Sequence, residues 1–194
     1  MDSTPPRILQ FSFSHVPPVM KRGRHALIMV RDQDGKFILG AKDIYPAGIV
    51  RFVGGGLEEK EDPRAGAARE LQEELGLEVH PSAFKLIATI VADITEESTN
   101  KKYQFTTYLF GISCDSYDIR ANDDLDGFKS LTAQGMKELI DRYGALSSEL
   151  IIMRSKNPLS SEEEQFRWSD YGKLYGEIHR IGLELVLKGN NYGR

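Results

Sequence analysis

The chain has 194 residues, of which 40% are hydrophobic and 28% are charged, a composition typical of one globular domain with or without an extension. Its formal net charge of −4 excludes overall attraction to nucleic acid, its single cysteine, Cys114, excludes an intrachain disulfide, and no apolar run approaches the ~20 residues of a membrane span. With no basic-then-apolar leader at its start, we expect a cytoplasmic protein that forms no stable complex with nucleic acid or membrane.

The first half of the chain contains short strand-like segments. Residues 1–23, which include four of the eight prolines, are predicted to be an irregular lead-in. Residues 26–30 and 36–40 are predicted to be two strands joined by a tight Asp-Gly turn. A third strand over residues 49–53 ends at the glycines 54–56.

The best predicted helix covers residues 64–75. Asp62 suits the N-cap, Pro63 suits the first helical position, and Gly76 suits the C-terminal stop. The remaining elements are predicted from their apolar patterns: strands at 84–93, 103–113 and 128–131, a loop at 95–102, and helices at 136–142, 145–154 and 161–187. We therefore expect an α/β fold in which a mixed sheet carries helices on its faces.

Three glutamates share one face of the helix at 64–75. Glu70, Glu73 and Glu74 have the spacing i, i+3 and i+4, at which like charges repel by a few tenths of a kcal/mol per pair. A solvated acidic face is the plain alternative. Two features favour a site instead: the preceding glycines permit close approach of a ligand, and Glu61 and Arg69 are available as an ion pair between loop and helix. Clustered carboxylates suit Mg²⁺ and metal-assisted phosphate chemistry.

The segment Gly55-x5-Glu61-x7-Arg69-Glu70-Leu71-x-Glu73-Glu74-x-Gly76-Leu77 resembles the Nudix box, with every constrained position filled. The resemblance extends over roughly residues 24–142 and implies a Nudix-type α/β/α sandwich. It divides the chain into a lead-in at 1–23, a Nudix hydrolase domain at 24–142, and a helical C-terminal extension at 143–194 packed on the same domain. It further implies a metal-dependent hydrolase that cleaves a diphosphate linkage by attack of water on phosphorus, with Mg²⁺ or Mn²⁺ as cofactor.

The resemblance also assigns roles to single residues. Glu70, Glu73 and Glu74 match the metal-binding glutamates, and Gly54 matches a glycine whose carbonyl often completes the metal site. Glu61 and Arg69 match the pair that holds loop and helix together, with Glu61 sometimes assisting catalysis. The family often draws another carboxylate from a later loop; Asp123 or Asp124 is the candidate here, with a polar turn as the alternative.

The substrate is expected to be a nucleoside diphosphate linked to another moiety. Nucleoside triphosphates and nucleotide sugars both remain open. Arg24, within a basic cluster, and Arg51 are candidates for phosphate binding, and Tyr45 is a candidate for stacking on a base. Trp168 is interpreted as a packing residue of the C-terminal extension, which we expect to affect assembly, a homodimer included, or substrate shape.

Two other functions are weighed against hydrolysis. The first is a catalytically inactive Nudix-fold nucleotide-binding module, which usually shows a damaged box, whereas this one is intact. The second is an isoprenoid-diphosphate isomerase-like enzyme, suggested weakly by residues 42–46. Such relatives use a cysteine on a strand, and Cys114 is poorly placed for that role. Hydrolysis is therefore the preferred prediction.

Overall fold

The protein is described by a computed structural model that covers residues 5–114, 119–122, 125–154 and 163–189. Its strands are β1 (Arg7–Phe13), β2 (Arg24–Arg31), β3 (Phe37–Ala41), β4 (Arg51–Gly56), β5 (Lys85–Glu96), β6 (Lys101–Ser113), β7 (Gly127–Leu131), β8 (Leu150–Arg154) and β9 (Glu163–Arg167). Its α-helices are α1 (Pro63–Leu75), α2 (Ala133–Gly144) and α3 (Trp168–Leu187). Short 3-10 helices lie at Pro18–Arg22 and Pro81–Ala83.

One mixed sheet forms the centre of the molecule. Its strand order is β1-β5-β6-β2-β4-β3-β7, with β1–β5 and β2–β6 parallel and the other pairs antiparallel. Strands β8 and β9 form a separate antiparallel pair. Since β2 and β4 are central neighbours, the glycines at the end of β4 lie in the middle of the sheet.

Strand β2 is buried on both faces, so its apolar residues alternate between two cores. Ala26, Ile28 and Val30 pack with the α1 residues, whereas Leu27 and Met29 pack with residues of α2 and α3. Because side chains of a strand point alternately to its two faces, this division places α1 on one face and α2 with α3 on the other. The predicted α/β/α sandwich with a mixed sheet is confirmed.

Helix α1 begins and ends as its sequence predicts. The Asp62 carboxylate accepts hydrogen bonds from the backbone N–H groups of Arg64 and Ala65, and Gly76 ends the helix in the left-handed region at φ +69°. The two caps satisfy backbone groups that every helix end leaves unpaired. They fix the bounds of α1, and so the positions of its glutamates.

Three predictions of secondary structure were wrong. Residues 1–23 are not wholly irregular, because β1 alternates exposed residues with the inward Leu9, Phe11 and Phe13 beside β5. The prolines that suggested a lead-in lie only on either side of this strand. Residues 145–154 were expected to be helical, yet they include β8. The segment 161–187 begins with β9, because pairing with β8 favours extended backbone before α3 starts at Trp168.

Helix α3 is the C-terminal helix that was predicted, and it is part of the core. Leu174, Tyr175 and Ile178 are fully buried in the cluster that includes β2 and β4 residues. Gly172 lies so close to α2 that an added Cβ would sit 2.3 Å from the Tyr143 carbonyl oxygen. The described helices include none long and apolar enough to cross a membrane.

Candidate active site

The glycines at the end of β4 bring backbone and carboxylates together. Gly54 has φ +125°, and a Cβ there would lie 2.2 Å from the carbonyl oxygen of Ala26 on β2. A Cβ on Gly55 would lie 2.4 Å from the Glu70 carboxylate. Only glycine fits at position 54, and a side chain at position 55 would displace the Glu70 carboxylate. The turn therefore lets the glutamate face of α1 approach the main chain closely.

Arg69 connects the loop before α1 to the glutamates on it. Its Nε and Nη2 donate to the two carboxylate oxygens of Glu61 at 3.1 and 3.2 Å, which is the predicted ion pair. Its Nη1 donates to Glu70 and to Glu73, both at 2.9 Å, and its Nη2 also reaches the Gly56 carbonyl at 3.0 Å. The hydrogen bonds from Arg69 lower the pKa of Glu61, which therefore stays ionised.

Glu74 is the most deeply buried of the three glutamates, at 4% exposure. Its Oε2 accepts a hydrogen bond from the Gly54 N–H at 2.8 Å, and its Oε1 lies 3.2 Å from Nζ of Lys42. Sequence reasoning did not place Lys42 at the site, because nothing local connects this loop residue to α1. The acidic face is thus partly neutralised by Lys42 and Arg69, which reduces the repulsion expected from glutamate spacing alone.

The donor chemistry of this face fits a hard divalent cation. Glu70, Glu73 and Glu74 offer carboxylate oxygens, the type of ligand that Mg²⁺ prefers. Burial raises the pKa of Glu70 against the opposing effect of Arg69, and the charges of Glu74 and Glu73 raise it further, so added positive charge would be favourable. In the part of the chain that is described, no three acidic, histidine or cysteine side chains already converge as a cation site, since Arg69 and Lys42 hold these carboxylates.

The predicted binding residues lie in different places. Arg51 is buried, donates from Nη2 to the Gly54 carbonyl at 2.6 Å, and lies 6.0 Å from the centre of the Tyr45 ring. The Gly54 carbonyl, predicted to be a metal ligand, therefore already accepts a bond from Arg51. Arg24 instead donates to the Glu61 carbonyl at 3.1 Å and lies over the Tyr108 ring, so it supports the loop.

A cleft of about 870 Å³ opens beside these residues. Its polar lining includes the glycines 54–56, Glu70 and Glu74. It also includes basic residues from the first 3-10 helix, the loop after β3 and the start of β4: Lys21, Arg22, Lys42 and Arg51. Arg24 is not among the described residues that line it. Asp123 and Asp124 lie outside the described residues, whereas the nearby Asp126 lines the cleft.

The cleft also has aromatic lining residues, of which sequence reasoning named only Tyr45 as a binding residue. Phe166, Trp168 and Tyr171, from β9 and the first turn of α3, line the cleft together with Tyr45. Trp168 was interpreted as a packing residue, and its ring does pack at 5.1 Å from Phe166 and 5.2 Å from Tyr171. Its additional position in the cleft depends on tertiary contacts that no local pattern reports.

Comparisons with known proteins find a matching family model and similar solved structures. The family model described as the NUDIX domain matches residues 21–140. Among solved structures, the E. coli dihydroneopterin triphosphate pyrophosphohydrolase is 22% identical, with 61% of this chain and 87% of that chain covered and a TM-score of 0.49. A MutT protein from Methanosarcina mazei Go1 is 12% identical, with 97% and 100% covered and the same TM-score of 0.49.

A third solved structure is a bifunctional NMN adenylyltransferase/ADP ribose pyrophosphatase from Francisella tularensis, complexed with AMP and a Mn ion. It is 17% identical, with 86% of this chain and 44% of that chain covered and a TM-score of 0.49. The search of curated proteins finds no match.

Proposed function

The chain belongs to the Nudix family, whose domain covers more than half of it, and from that premise we propose that this hydrolase cleaves the diphosphate linkage of a small nucleotide with Mg²⁺ or Mn²⁺. The observation that carries the proposal is the placement of Glu70 and Glu74 beside a glycine turn, in the lining of a cleft that also contains basic residues. Glu73 is connected to Glu70 through Arg69. Within the nucleotide class, nucleoside triphosphates and nucleotide sugars are the candidate substrates.

The residues of the site have two roles: some would hold the cation, and Arg69 positions their carboxylates. Glu70, Glu73 and Glu74, with the Gly54 carbonyl, are the groups that would hold the cation. A divalent cation at such a site neutralises diphosphate charge and lowers the pKa of bound water. Arg69 fixes the carboxylates relative to the loop through four charge-assisted contacts, and so reduces the reorganisation that the reaction would otherwise require.

Basic residues at the cleft are suited to the phosphates. Lys42 lies at Glu74, and Arg22 and Lys21 line the cleft on the side of Gly56. Compact ammonium groups and planar guanidinium groups both bind phosphate oxygens, the latter with two parallel hydrogen bonds. Asp123 or Asp124 stays the candidate for a further carboxylate. The cytoplasmic location and the homodimer also remain proposals.

The geometry gives the alternatives less support. An isomerase-like reaction would require a cysteine at the cleft, and Cys114 instead packs against the core on the α1 face, where its N–H donates to the Arg31 carbonyl. A binding module without catalysis has no need of a half-buried glutamate whose pKa is raised by burial and by two neighbouring carboxylates. Hydrolysis is the function that the described residues support best.

The test is a substrate panel assayed with Mg²⁺, with Mn²⁺ and with excess EDTA. Nucleoside triphosphates, nucleotide sugars, ADP-ribose and dinucleoside polyphosphates are incubated with the protein, and the phosphorylated products are separated and measured. We expect turnover of at least one nucleotide, its loss in EDTA and its recovery on adding the cation. A double variant, Glu73→Gln with Glu74→Gln, controls for contaminating phosphatases. Undiminished turnover in a chelated sample, or none on any compound, would contradict the proposal.

A further inference from the structure

We propose that the C-terminal β9–α3 segment recognises the planar base of the substrate, with the Trp168 ring as its stacking surface, the perpendicular Tyr45 ring at the edge of the base and the Tyr171 hydroxyl as a polar contact. The inference rests on the proposed function and specifies its substrate as a diphosphate attached to a heteroaromatic base. Trp168 and Tyr171 lie beyond the residues 21–140 that match the family. The part of the recognition site that β9 and α3 provide therefore lies outside the matched domain, whereas Tyr45 lies inside it.

The aromatic rings lie in the same cleft as the residues proposed to bind the phosphates. Arg51 donates to the Gly54 carbonyl at 2.6 Å and lies 6.0 Å from the centre of the Tyr45 ring. The Tyr45 ring is in turn 6.5 Å from the ring of Trp168. A single cleft thus contains charged side chains, including Glu164 of β9, together with aromatic rings. A nucleotide has matching chemistry, with charged phosphates joined through a sugar to a flat base.

The rings are fixed by their neighbours before any ligand arrives. Trp168 makes near-perpendicular contacts with Phe166, at 78°, and with Tyr171, at 79°. Phe166 and Tyr171 are each only 4% exposed, whereas Trp168 and Tyr45 are partly exposed. Edge-to-face contacts of this kind are favourable and hold a ring in one orientation. Binding would then cost little side-chain entropy, since the stacking surface is already ordered.

One tyrosine beside Trp168 has a hydroxyl group without a hydrogen-bond partner among the described residues. The Tyr171 hydroxyl is buried and has no hydrogen-bond partner among the described residues, although its side chain lines the cleft. Leaving a buried hydroxyl unpaired is costly, so such groups usually serve a ligand or a water molecule. Burial raises the pKa of Tyr171, and the hydroxyl therefore keeps a proton to donate to a base edge.

Trp168 provides a direct measurement, because it is the only tryptophan of the chain. Its fluorescence is recorded in Mg²⁺ buffer during titration with adenosine or guanosine 5′-(α,β-methylene)diphosphate, which resist hydrolysis between the two phosphorus atoms. Methylenediphosphonate, which has the same phosphorus bridge and no base, is the control. We expect saturable quenching by at least one nucleoside analogue and none by methylenediphosphonate. Equal responses to all three compounds, or no response to either nucleoside analogue, would overturn the inference.

Kinetics of point variants provide the second measurement. Trp168→Ala should raise KM for the nucleotide substrate about tenfold, as expected for a lost base–aromatic stack, with kcat changed much less. Trp168→Phe should restore most of the affinity, because it keeps a ring. Tyr171→Phe removes only the hydroxyl and should raise KM by a smaller factor. Phe128→Ala removes an exposed aromatic side chain that does not line the cleft, and should change neither constant.

The two proposals can fail separately. The inhibition constant of methylenediphosphonate should be the same for the parent and Trp168→Ala, because this probe has no base. An equal loss of affinity for both kinds of ligand would contradict base recognition and leave hydrolysis intact. Quenching by a nucleoside analogue in a protein that hydrolyses no diphosphate would contradict the hydrolase and leave the recognition site intact.

Discussion

Helices α1 and α3 lie on opposite faces of the same sheet and differ in how deeply they are buried and in the contacts that hold them. Among their residues, α1 buries five of thirteen, whereas α3 buries twelve of twenty, so α3 is the more deeply embedded element. The polar face of α1 is held by ion pairs with Arg69 and Lys42. The contacts of α3 are mainly apolar and aromatic, and two of its glycines lie against Tyr143 on α2.

This difference predicts which kind of substitution would affect the reaction and which would affect the fold. A change of charge on α1 should affect the reaction before it affects the fold, because its carboxylates face the cleft. A change of volume on α3 should affect the fold first, because close packing tolerates neither gaps nor additions. Deleting the C-terminal segment would remove part of the core, so point variants are the better probes of its role.

The largest expected effect is that of Glu74→Gln on α1. We expect kcat to fall by about a hundredfold or more, beyond the ~10- to 100-fold typical of residues that only surround a ligand. Some stability should also be lost, because Lys42 loses this partner. Turnover at saturating Mg²⁺ and circular dichroism measure the two quantities, with Glu59→Gln at an exposed position as control. Near-parental turnover would show that Glu74 does not bind the cation.

The counterpart on α3 is Gly172→Ala. The new Cβ would lie 2.3 Å from the Tyr143 carbonyl oxygen, so α2 and α3 must separate. Such overpacking should lower the free energy of unfolding by about 1–3 kcal/mol, with little change in kcat below the melting temperature. Gly144→Ala is the matched control, because a Cβ there meets nothing within 4 Å. Equal melting temperatures for the two variants would mean that this helix contact yields easily.

Arg69→Ala should lower both stability and kcat, because Arg69 connects the loop before α1 to the glutamates of the site. Glu61, Glu70 and Glu73 lose charge-assisted hydrogen bonds, and we expect a loss of about 2 kcal/mol in stability together with a lower kcat. Arg69→Lys keeps the charge but not the planar fork, and separates electrostatics from geometry. Thermal melts with and without Mg²⁺ measure stability. If Arg69→Ala melts like the parent and is inactive, Arg69 contacts the substrate and the bracing role is wrong.

The last expected effect concerns the pH dependence of stability and a histidine of α3. Burial lowers the pKa of His179 to about 3, whereas the unfolded chain titrates near the ordinary value of 6.5. Between these values the unfolded state binds more protons, so stability rises with pH and is lost as pH falls, by at most about 1.4 kcal/mol per pH unit. His25, whose pKa burial also lowers, acts in the same direction.

Denaturant melts between pH 3 and 7 measure this slope. We expect His179→Gln to reduce it, whereas His80→Gln, at an exposed position, should leave it unchanged. A slope that is the same in all three proteins would show that His179 is protonated in the folded state.

The sequence predicted those features whose signals are local. The caps Asp62 and Gly76, the glutamate spacing and the glycine turn all lie within one short stretch, and each follows from helix or turn geometry. Lys42 and Trp168 could not be assigned in this way, because they reach the cleft only through the packing of separate elements. Strand β8 was missed because its local sequence pattern favoured a helix, and pairing with β9, the next strand in the chain, overrides that preference.

Strand β1 has a consequence for the order of folding. Arg7 pairs with Ile90 in a parallel register. Strand β1 can therefore join the sheet only after β5, about eighty residues further along the chain, has formed. Contacts between distant residues require a large loop to close and therefore form slowly. Until β1 docks, β5 is a sheet edge with unpaired backbone groups, which is the type of surface that promotes aggregation. We therefore expect nascent chains to be most vulnerable to self-association before their first strand is in place.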